Sequence, residues 1–349
     1  MKYIELFCGI GGFRYGLETI RWTRLEGHRD NADTSSRESF QCVWANDIDK
    51  YACQVYRKNF GTGELYEGDI RTVDAATIPD HDLIVGGFPC QSFSIAGKRG
   101  GFEDTRGTLF FEICRIARAC GTKYLFLENV KGLLNHNQGK TFKTIIRTLD
   151  ELGYDCEWQV LNSKNYGVPQ NRERVFIIAN IRGERRLQVF PIREDSQPDI
   201  VLPTLTARYY GAQANGGYIG YKQAQDLKFM YGIMGDKNKM WLEGGGWGAK
   251  TGLYEIPETA QALQTDGQSR TGTSWGTNKP QSARSIRRLT PIECERLQGF
   301  PDNWTKYGID KNGEEVLISD SQRYKMCGNA VTTNVITEIG KRLAQGVLL

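Results

Sequence analysis

Histidine is scarce in this chain: there are three, His28, His81 and His136, far apart. The nine cysteines are scattered, odd in number, and no two stand in C-x-x-C spacing. Together these argue against a zinc site and against a disulfide framework, and fit reduced thiols in a cytosolic compartment. No apolar run approaches the roughly 18 residues that a membrane helix needs. No basic leader with an apolar run precedes the first strand, so a secreted protein is not expected. Internal repeats and low-complexity segments are absent too. Charge of one sign is also lacking. The net charge is +4 over 349 residues, so a nucleic-acid partner would have to be met by a local patch. A chain of this length can bury a sizeable core in one large domain or two.

What is abundant is glycine, with 40 residues, and an alternation of strand and helix over the first 180 positions. Residues 3–7 read as a buried strand, 8–12 (Cys8-Gly9-Ile10-Gly11-Gly12) as a glycine turn, and 13–20 as a helix. Glycines between strand and helix let backbone N–H groups approach a ligand. Residues 23–40 are a polar surface insertion with no legible function. A second strand, 41–45, ends in Asn46-Asp47-Ile48-Asp49. An acid there suits a pair of ribose hydroxyls; Asp47 fits, and Asp49 starts a helix over 50–60 as its cap. A third strand ends in Glu67-Gly68-Asp69-Ile70. Strand 82–85 leads into Gly86-Gly87-Phe88-Pro89-Cys90, then a glycine-rich basic loop, then a helix from Leu109. Strand 124–127 ends in Glu128-Asn129-Val130, a helix covers 141–152, and strands cover 158–161 and 175–179. The pattern predicts an α/β fold, a parallel sheet with helices on both faces and ligands at the strand ends.

Cys90 has two readings on position alone, a displayed nucleophile or a buried structural thiol. Near residue 187 the texture changes. Residues 201–285 hold 14 glycines and three tryptophans, with nine Lys and Arg against six Asp and Glu. This reads as a small, irregular strand-and-loop domain. Its surface is suited to nucleic acid or is simply solvated. Regular structure returns at Thr290-Pro291, a cap followed by proline at the first helical position. Gly328-Asn329-Ala330-Val331 is expected to open a last helix reaching Leu343.

At Phe88-Pro89-Cys90-Gln91-Ser92-Phe93-Ser94 the sequence resembles the DNA cytosine-C5 methyltransferase family of prokaryotic and phage restriction-modification type. Other blocks agree, in the family's order. Phe7-Cys8-Gly9-Ile10-Gly11-Gly12-Phe13 resembles its S-adenosylmethionine loop and Gly68-Asp69-Ile70 its adenine-contacting acid. Glu128-Asn129-Val130 resembles its E-N-V block, and Gln170-Asn171-Arg172-Glu173-Arg174 its Q-x-R-x-R block. Residues 288–301 and Gly328-Asn329-Ala330-Val331 resemble the last two blocks. The chain departs from the family at Ala330, usually Ser, and at Asp47, usually Glu. The resemblance covers residues 1–180 and 286–349. It implies a Rossmann-like catalytic domain over 1–186 and 286–349 and a target-recognition domain over 187–285.

The implied activity is methyl transfer from S-adenosylmethionine, yielding S-adenosylhomocysteine, to C5 of a cytosine flipped out of double-stranded DNA. No metal and no membrane are involved. The implied enzyme is a monomer of the prokaryotic cytoplasm, in possible pairing with a restriction endonuclease. Carbon 5 of cytosine is a poor nucleophile, and a thiolate adding at C6 activates it, which is the task the resemblance gives Cys90. Glu128 would hold the N3 side of the ring with a pKa raised by burial. Arg172 and Arg174 would order base, thiol and phosphate. The bland alternative makes them a surface pair with Glu173. The cofactor set is Phe7, Gly9, Gly11, Gly12, Asp47, Ile48, Asp69, Ile70, Phe88, Pro89, Leu109, Asn329 and Val331. The DNA set is Gln91, Ser92, Ser94, Lys98 and Arg99 in the loop, with Arg208, Gln261, Leu263, Gln264 and Arg270 in the recognition segment. Flipping the base costs about a few kcal/mol, and residues 94–106 would close over it.

Three competitors remain. A tRNA methyltransferase of the same fold would carry Cys-Phe-Thr in its recognition region, and this chain has none. A silent DNA-binding protein has no need of Cys90 and Glu128. A dinucleotide-dependent oxidoreductase predicts G-x-G-x-x-G at the first turn, where residue 14 is Arg.

Overall fold

A computed structural model describes residues 1–20, 40–89, 109–193 and 289–348, with backbone alone at 346–348. It also describes the backbone of 202–203, 218–221, 253–255, 262–263 and 285–288. Five strands run parallel: β1 (Lys2–Leu6), β2 (Gln41–Asp47), β3 (Leu65–Glu67), β4 (Leu83–Gly87) and β5 (Tyr124–Val130). β6 (Tyr154–Asn162) and β8 (Glu173–Ile181) extend the sheet. β8 is antiparallel to both β5 and β6, and the order is β3-β2-β1-β4-β5-β8-β6. The reversal follows from a short connection. β7 (Gln170–Asn171) and a turn with Gly167 at φ 81° bring the chain straight back beside β6, whereas a parallel return needs a crossover of a dozen residues or more.

Alternation along β1 shows burial on both faces. Tyr3 joins one apolar cluster, while Ile4 and Leu6 join another. The first cluster takes Phe13 and Leu17 of α1 (Gly12–Glu18) and Tyr56 of α2 (Lys50–Phe60). It also takes Val335, Ile336, Ile339 and Leu343 of the last helix. The second takes Phe110, Ile113 and Ile116 of α3 (Leu109–Cys120) with Ile145 and Leu149 of α4 (Lys140–Glu151). Burial on both faces explains why these strands read as continuous apolar runs. The expected sheet with helices on both faces is therefore present.

Two expectations change, and a third feature was not anticipated. Residues from 187 do not leave the first unit at once. Leu187, Val189 and Ile192 are buried in the first cluster. The N–H of Leu187 donates to Asn180, those of Val189 and Phe190 to Glu157, and that of Ile192 to Gln159. Side chains of the outer strands thus satisfy a segment that has no strand partner of its own. Downstream, β9 (Leu202–Pro203) pairs with β7, and β10 (Tyr218–Tyr221), β11 (Leu253–Glu255), β12 (Ala262–Leu263) and β13 (Ser285–Arg288) form a separate sheet, β12-β11-β10-β13. β13 ends at Arg288, directly before the capped start of α5.

Second, Gly328-Asn329 does not open the last helix. It ends α6 (Asp320–Asn329), because Ala330 is extended at φ −64°, ψ 152°, and α7 (Thr333–Leu348) starts afterwards. Third, a hairpin, β14 (Tyr307–Ile309) with β15 (Glu315–Leu317), lies between α5 (Pro291–Leu297) and α6. The helix α5 starts as expected. Thr290 and Glu293 form a reciprocal capping box with Pro291 in the first turn. Among the described residues, no helix is long and apolar enough to cross a membrane.

Candidate active site

The carboxyl ends of β1 and β2 are tied together by one carboxylate. Asp47 accepts from the N–H of Gly9 at 2.7 Å and from that of Asp49 at 2.8 Å. Burial pushes its pKa up, and those same backbone donors oppose the rise. A carboxylate offers about four acceptor sites, so Asp47 can still take ribose hydroxyls. Asp49 is the cap of α2, accepting from the N–H groups of Tyr51 and Ala52. Asn46 donates to the carbonyls of Tyr66 and Gly68, which fixes the end of β3. Beyond it Asp69 is partly exposed and held by Arg71, whose hydrogen bonds lower its pKa. Ile48 is 68% exposed beside this group, whereas the Ile70 side chain is buried in the core. Any contact from Ile70 outward must therefore come from its backbone.

The glycine turn has the shape of a cradle. Gly9 has φ 54°, and a Cβ added there would meet nothing within 4 Å, so the space above it is open. Gly12 is different: a Cβ there would lie 2.6 Å from Val331 Cγ2. Phe7 takes φ 55°, an uncommon conformation for a side-chain-bearing residue. Open space at Gly9, an exposed apolar surface at Ile48 and acids at 47 and 69 fit a nucleoside with a charged amino-acid tail.

On the other side of β4, the E-N-V block lies inside β5. Glu128 pairs in register with Gly87, where an added Cβ would sit 3.0 Å from Glu128 Oε2. Asn129 donates through Nδ2 to the Phe88 carbonyl at 2.7 Å. It thereby anchors the Phe88-Pro89 turn, the stem of the segment carrying Cys90. Phe88 is buried, Pro89 exposed and Leu109 half-buried. Glu128 Oε1 meets Arg174 Nε at 2.9 Å, and both side chains are nearly covered. Burial raises the Glu128 pKa although Arg174 and Arg172 both pull it down, so desolvation outweighs a direct ion pair here. The pairing of the arginines with Glu173 does not form as a salt bridge: Glu173 pairs with Lys131 at 2.7 Å, and Arg174 donates to its carbonyl.

Arg172 stands apart from Arg174. It is 2% exposed, and its Nη2 donates to the carbonyls of Gly328 at 3.1 Å and Ala330 at 2.7 Å. Around it lies a buried polar knot. Ser163 donates to Thr332, Thr332 to Gln298 Oε1, and Gln298 Nε2 to the Cys327 carbonyl. Gln170 donates to the Leu297 carbonyl at 2.8 Å. Close by, Glu295, wholly buried, accepts from Arg323 and Thr305. Sequence reasoning missed Asn129, Gln298 and Glu295 as working residues. The signal was there, in polar side chains set among apolar neighbours. Asn329 is exposed and Val331 is buried, 7% exposed.

Cys90, Gln91, Ser92, Ser94, Lys98, Arg99, Arg208, Gln261, Gln264 and Arg270 lie outside the described residues, as do the insertion over 23–39 and the loop 94–106. Leu263 is in β12, described by its backbone. Among the described residues, no group of three or more His, Cys, Asp and Glu side chains could hold a metal ion.

Comparison with known proteins places this arrangement among relatives. The profile of the family described as C-5 cytosine-specific DNA methylase matches residues 1–345. The chain is 34% identical to the type II methyltransferase M.HhaI of Haemophilus parahaemolyticus, over 99% of this chain and 95% of that protein. It is 35% identical to M.HpaII of Haemophilus parainfluenzae, over 98% and 89% respectively. In fold it is similar to a DNMT2 from Spodoptera frugiperda, with TM-score 0.56, 21% identity, and 98% and 99% of the two chains covered.

Proposed function

Since the chain belongs to the C-5 cytosine-specific DNA methylase family and is a DNA (cytosine-5-)-methyltransferase, we propose that it works on a cytosine turned out of duplex DNA, through a covalent bond from Cys90 to C6. The observation that carries this reading is the buried Glu128–Arg174 pair beside the Asn129-anchored turn leading to Cys90. Burial raises the Glu128 pKa, which favours the protonated carboxyl that can donate to N3 as the thiolate adds at C6, so that the electron pair moving toward C5 is accommodated. Arg174 holds that carboxyl in place and offers a donor to the ring. A base must leave the stack to reach such a site.

S-adenosylmethionine, when bound, supplies an electrophilic methyl group and leaves as S-adenosylhomocysteine. The residues proposed to hold it are Phe7, Gly9, Gly11, Gly12, Asp47, Ile48, Asp69, the Ile70 backbone, Phe88, Pro89, Leu109, Asn329 and Val331. After transfer, water takes the C5 proton, the C5–H electron pair re-forms the C5–C6 double bond as the C6–S bond breaks and the thiolate leaves, and N3 returns its proton to Glu128. Residues 194–288 are proposed as the target-recognition domain, with 1–193 and 289–349 as the catalytic one. M.HhaI and M.HpaII bear the name type II methyltransferase, and pairing with a restriction endonuclease is proposed by analogy. A monomer acting on DNA in the cytoplasm completes the reading.

The test is a duplex library with 5-fluorocytosine replacing cytosine, incubated with S-adenosylmethionine. Fluorine cannot leave as a proton does, so the adduct persists and shifts the protein on a denaturing gel. Cys90→Ser should give no adduct and no methylation while still binding S-adenosylhomocysteine. An unshifted wild-type enzyme that nevertheless methylates ordinary duplex would overturn the covalent route.

A further inference from the structure

The two arginines of the Gln170–Arg174 block stand two residues apart, the spacing that puts alternate strand residues on one face. Their surroundings differ sharply. Arg174 reaches Glu128, whereas Arg172 donates to the Gly328 and Ala330 carbonyls at the end of α6. The last carbonyls of a helix lack partners within it and carry the negative end of its dipole, so a buried cation suits them. The backbone of Arg172 is fixed as well. Its N–H donates to Asn162 Oδ1 at 3.0 Å, and its carbonyl accepts from the Ser163 N–H at 3.0 Å. Ser163 in turn bonds Thr332 at 2.8 Å. Both ends of the turn 328–332 are thereby tied to the segment 162–172.

That turn presents Val331 to two places at once. A Cβ on Gly12 would meet Val331 Cγ2 at 2.6 Å, and one on Gly87 would meet Val331 Cγ1 at 3.9 Å. Gly12 belongs to the glycine turn, and Gly87 is the register partner of Glu128. Val331 therefore forms the wall between the cofactor side and the base side. We propose that Arg172 is a positioning residue that does not touch the base: by clamping the turn 328–332 it sets the Val331 wall, and so governs how tightly the cofactor is held. This rests on the assignment of the two sides made under the proposed function.

The experiment compares Arg172→Gln, Arg172→Lys, Val331→Ala and Arg174→Gln. Each is assayed by calorimetric binding of S-adenosylhomocysteine and by adduct formation on the 5-fluorocytosine duplex at saturating S-adenosylmethionine. Circular dichroism confirms folding. Hydrogen bonds to a charged group are each worth about tenfold in an equilibrium, so Arg172→Gln should weaken S-adenosylhomocysteine binding by about tenfold or more yet still form adduct at saturation. Arg172→Lys, which keeps charge and one donor, should recover part of that loss. Val331→Ala should weaken binding through lost contact and reports whether the wall matters to the cofactor; Arg172→Lys, which keeps the charge, carries the test of the clamp if Arg172→Gln does not fold. Arg174→Gln should show the opposite pattern, normal binding and lost adduct. The proposal is overturned if folded Arg172 and Val331 variants bind S-adenosylhomocysteine within twofold of wild type. Failure of wild type itself to bind or to form adduct overturns the site assignment instead, and the two failures are distinct.

Discussion

Replacing Glu5 with Gln keeps the shape of a wholly buried side chain and removes its ionisation. Glu5 lies on β1 among Tyr56, whose hydroxyl donates to it at 3.4 Å, and the start of α1. Burial raises its pKa from 4.5 to about 8, against the opposing pull of the Arg14 guanidinium and the N–H groups of Arg14 and Phe13. The folded chain therefore keeps this proton up to about pH 8, while the unfolded chain releases it near its ordinary value of about 4.3. Its contribution to stability is fully present below the unfolded value and is lost as pH rises through the folded one. Within that window one proton at about 1.4 kcal/mol per pH unit gives a slope of that size. Between about pH 5.5 and 7.5 the wild type should lose about 3 kcal/mol that the variant keeps. Urea unfolding followed by tryptophan fluorescence, at several pH values and fixed ionic strength, measures it. Stability curves of wild type and Glu5→Gln that run parallel across this range would refute the reasoning, whatever their vertical offset.

Three further outcomes are expected. Glu128→Gln should lower turnover by about 10²-fold or more while leaving S-adenosylhomocysteine binding intact. In the wild type, activity should fall as pH rises through the raised Glu128 pKa, because the donating proton is then lost; a variant with full turnover or the same pH limb excludes the donor role. Gly12→Ala forces a methyl group to within 2.6 Å of Val331 Cγ2, which should cost about 1–3 kcal/mol and weaken S-adenosylhomocysteine binding. An unchanged melting temperature together with unchanged affinity in calorimetry would contradict that packing.

Much of the fold was legible because its strands are buried on both faces and its turns use residues with local chemistry. Thr290-Pro291 announced a helix start, and Asp49 announced the cap of α2, since both rely on side chains bonding backbone within a few positions. Other features depended on distant partners. The segment 187–193 reads with the irregular domain that follows, and only Glu157, Gln159 and Asn180 from far upstream make it part of the core. At Gly328-Asn329 the apolar periodicity of α7 extended backward too easily. Nothing local marks the extended backbone of Ala330, which the Arg172 guanidinium helps hold. Strand order and the reversal of β8 were not legible, because they depend on which edges remain to be paired.

The same division runs through the site. Glu128, Arg172 and Arg174 were legible as candidates from their motifs, with a carboxyl pKa expected to be raised by burial; the structure adds that Glu128 pairs with Arg174 and that its pKa is raised. Arg172 carries an equally clear motif position, yet its guanidinium donates to carbonyls at the end of α6. Asp47 likewise binds backbone at both oxygens before any ligand arrives. A charged residue can thus occupy a ligand-binding motif in order to fix the main chain around the ligand. Such residues are bound on the inward side by N–H or C=O groups and have little room to move. Their substitution should spread through the turn they hold, whereas substitution of Glu128 should remove one donor and leave the cofactor side in place. The motif gives both kinds the same spacing, and only their hydrogen-bond partners separate them.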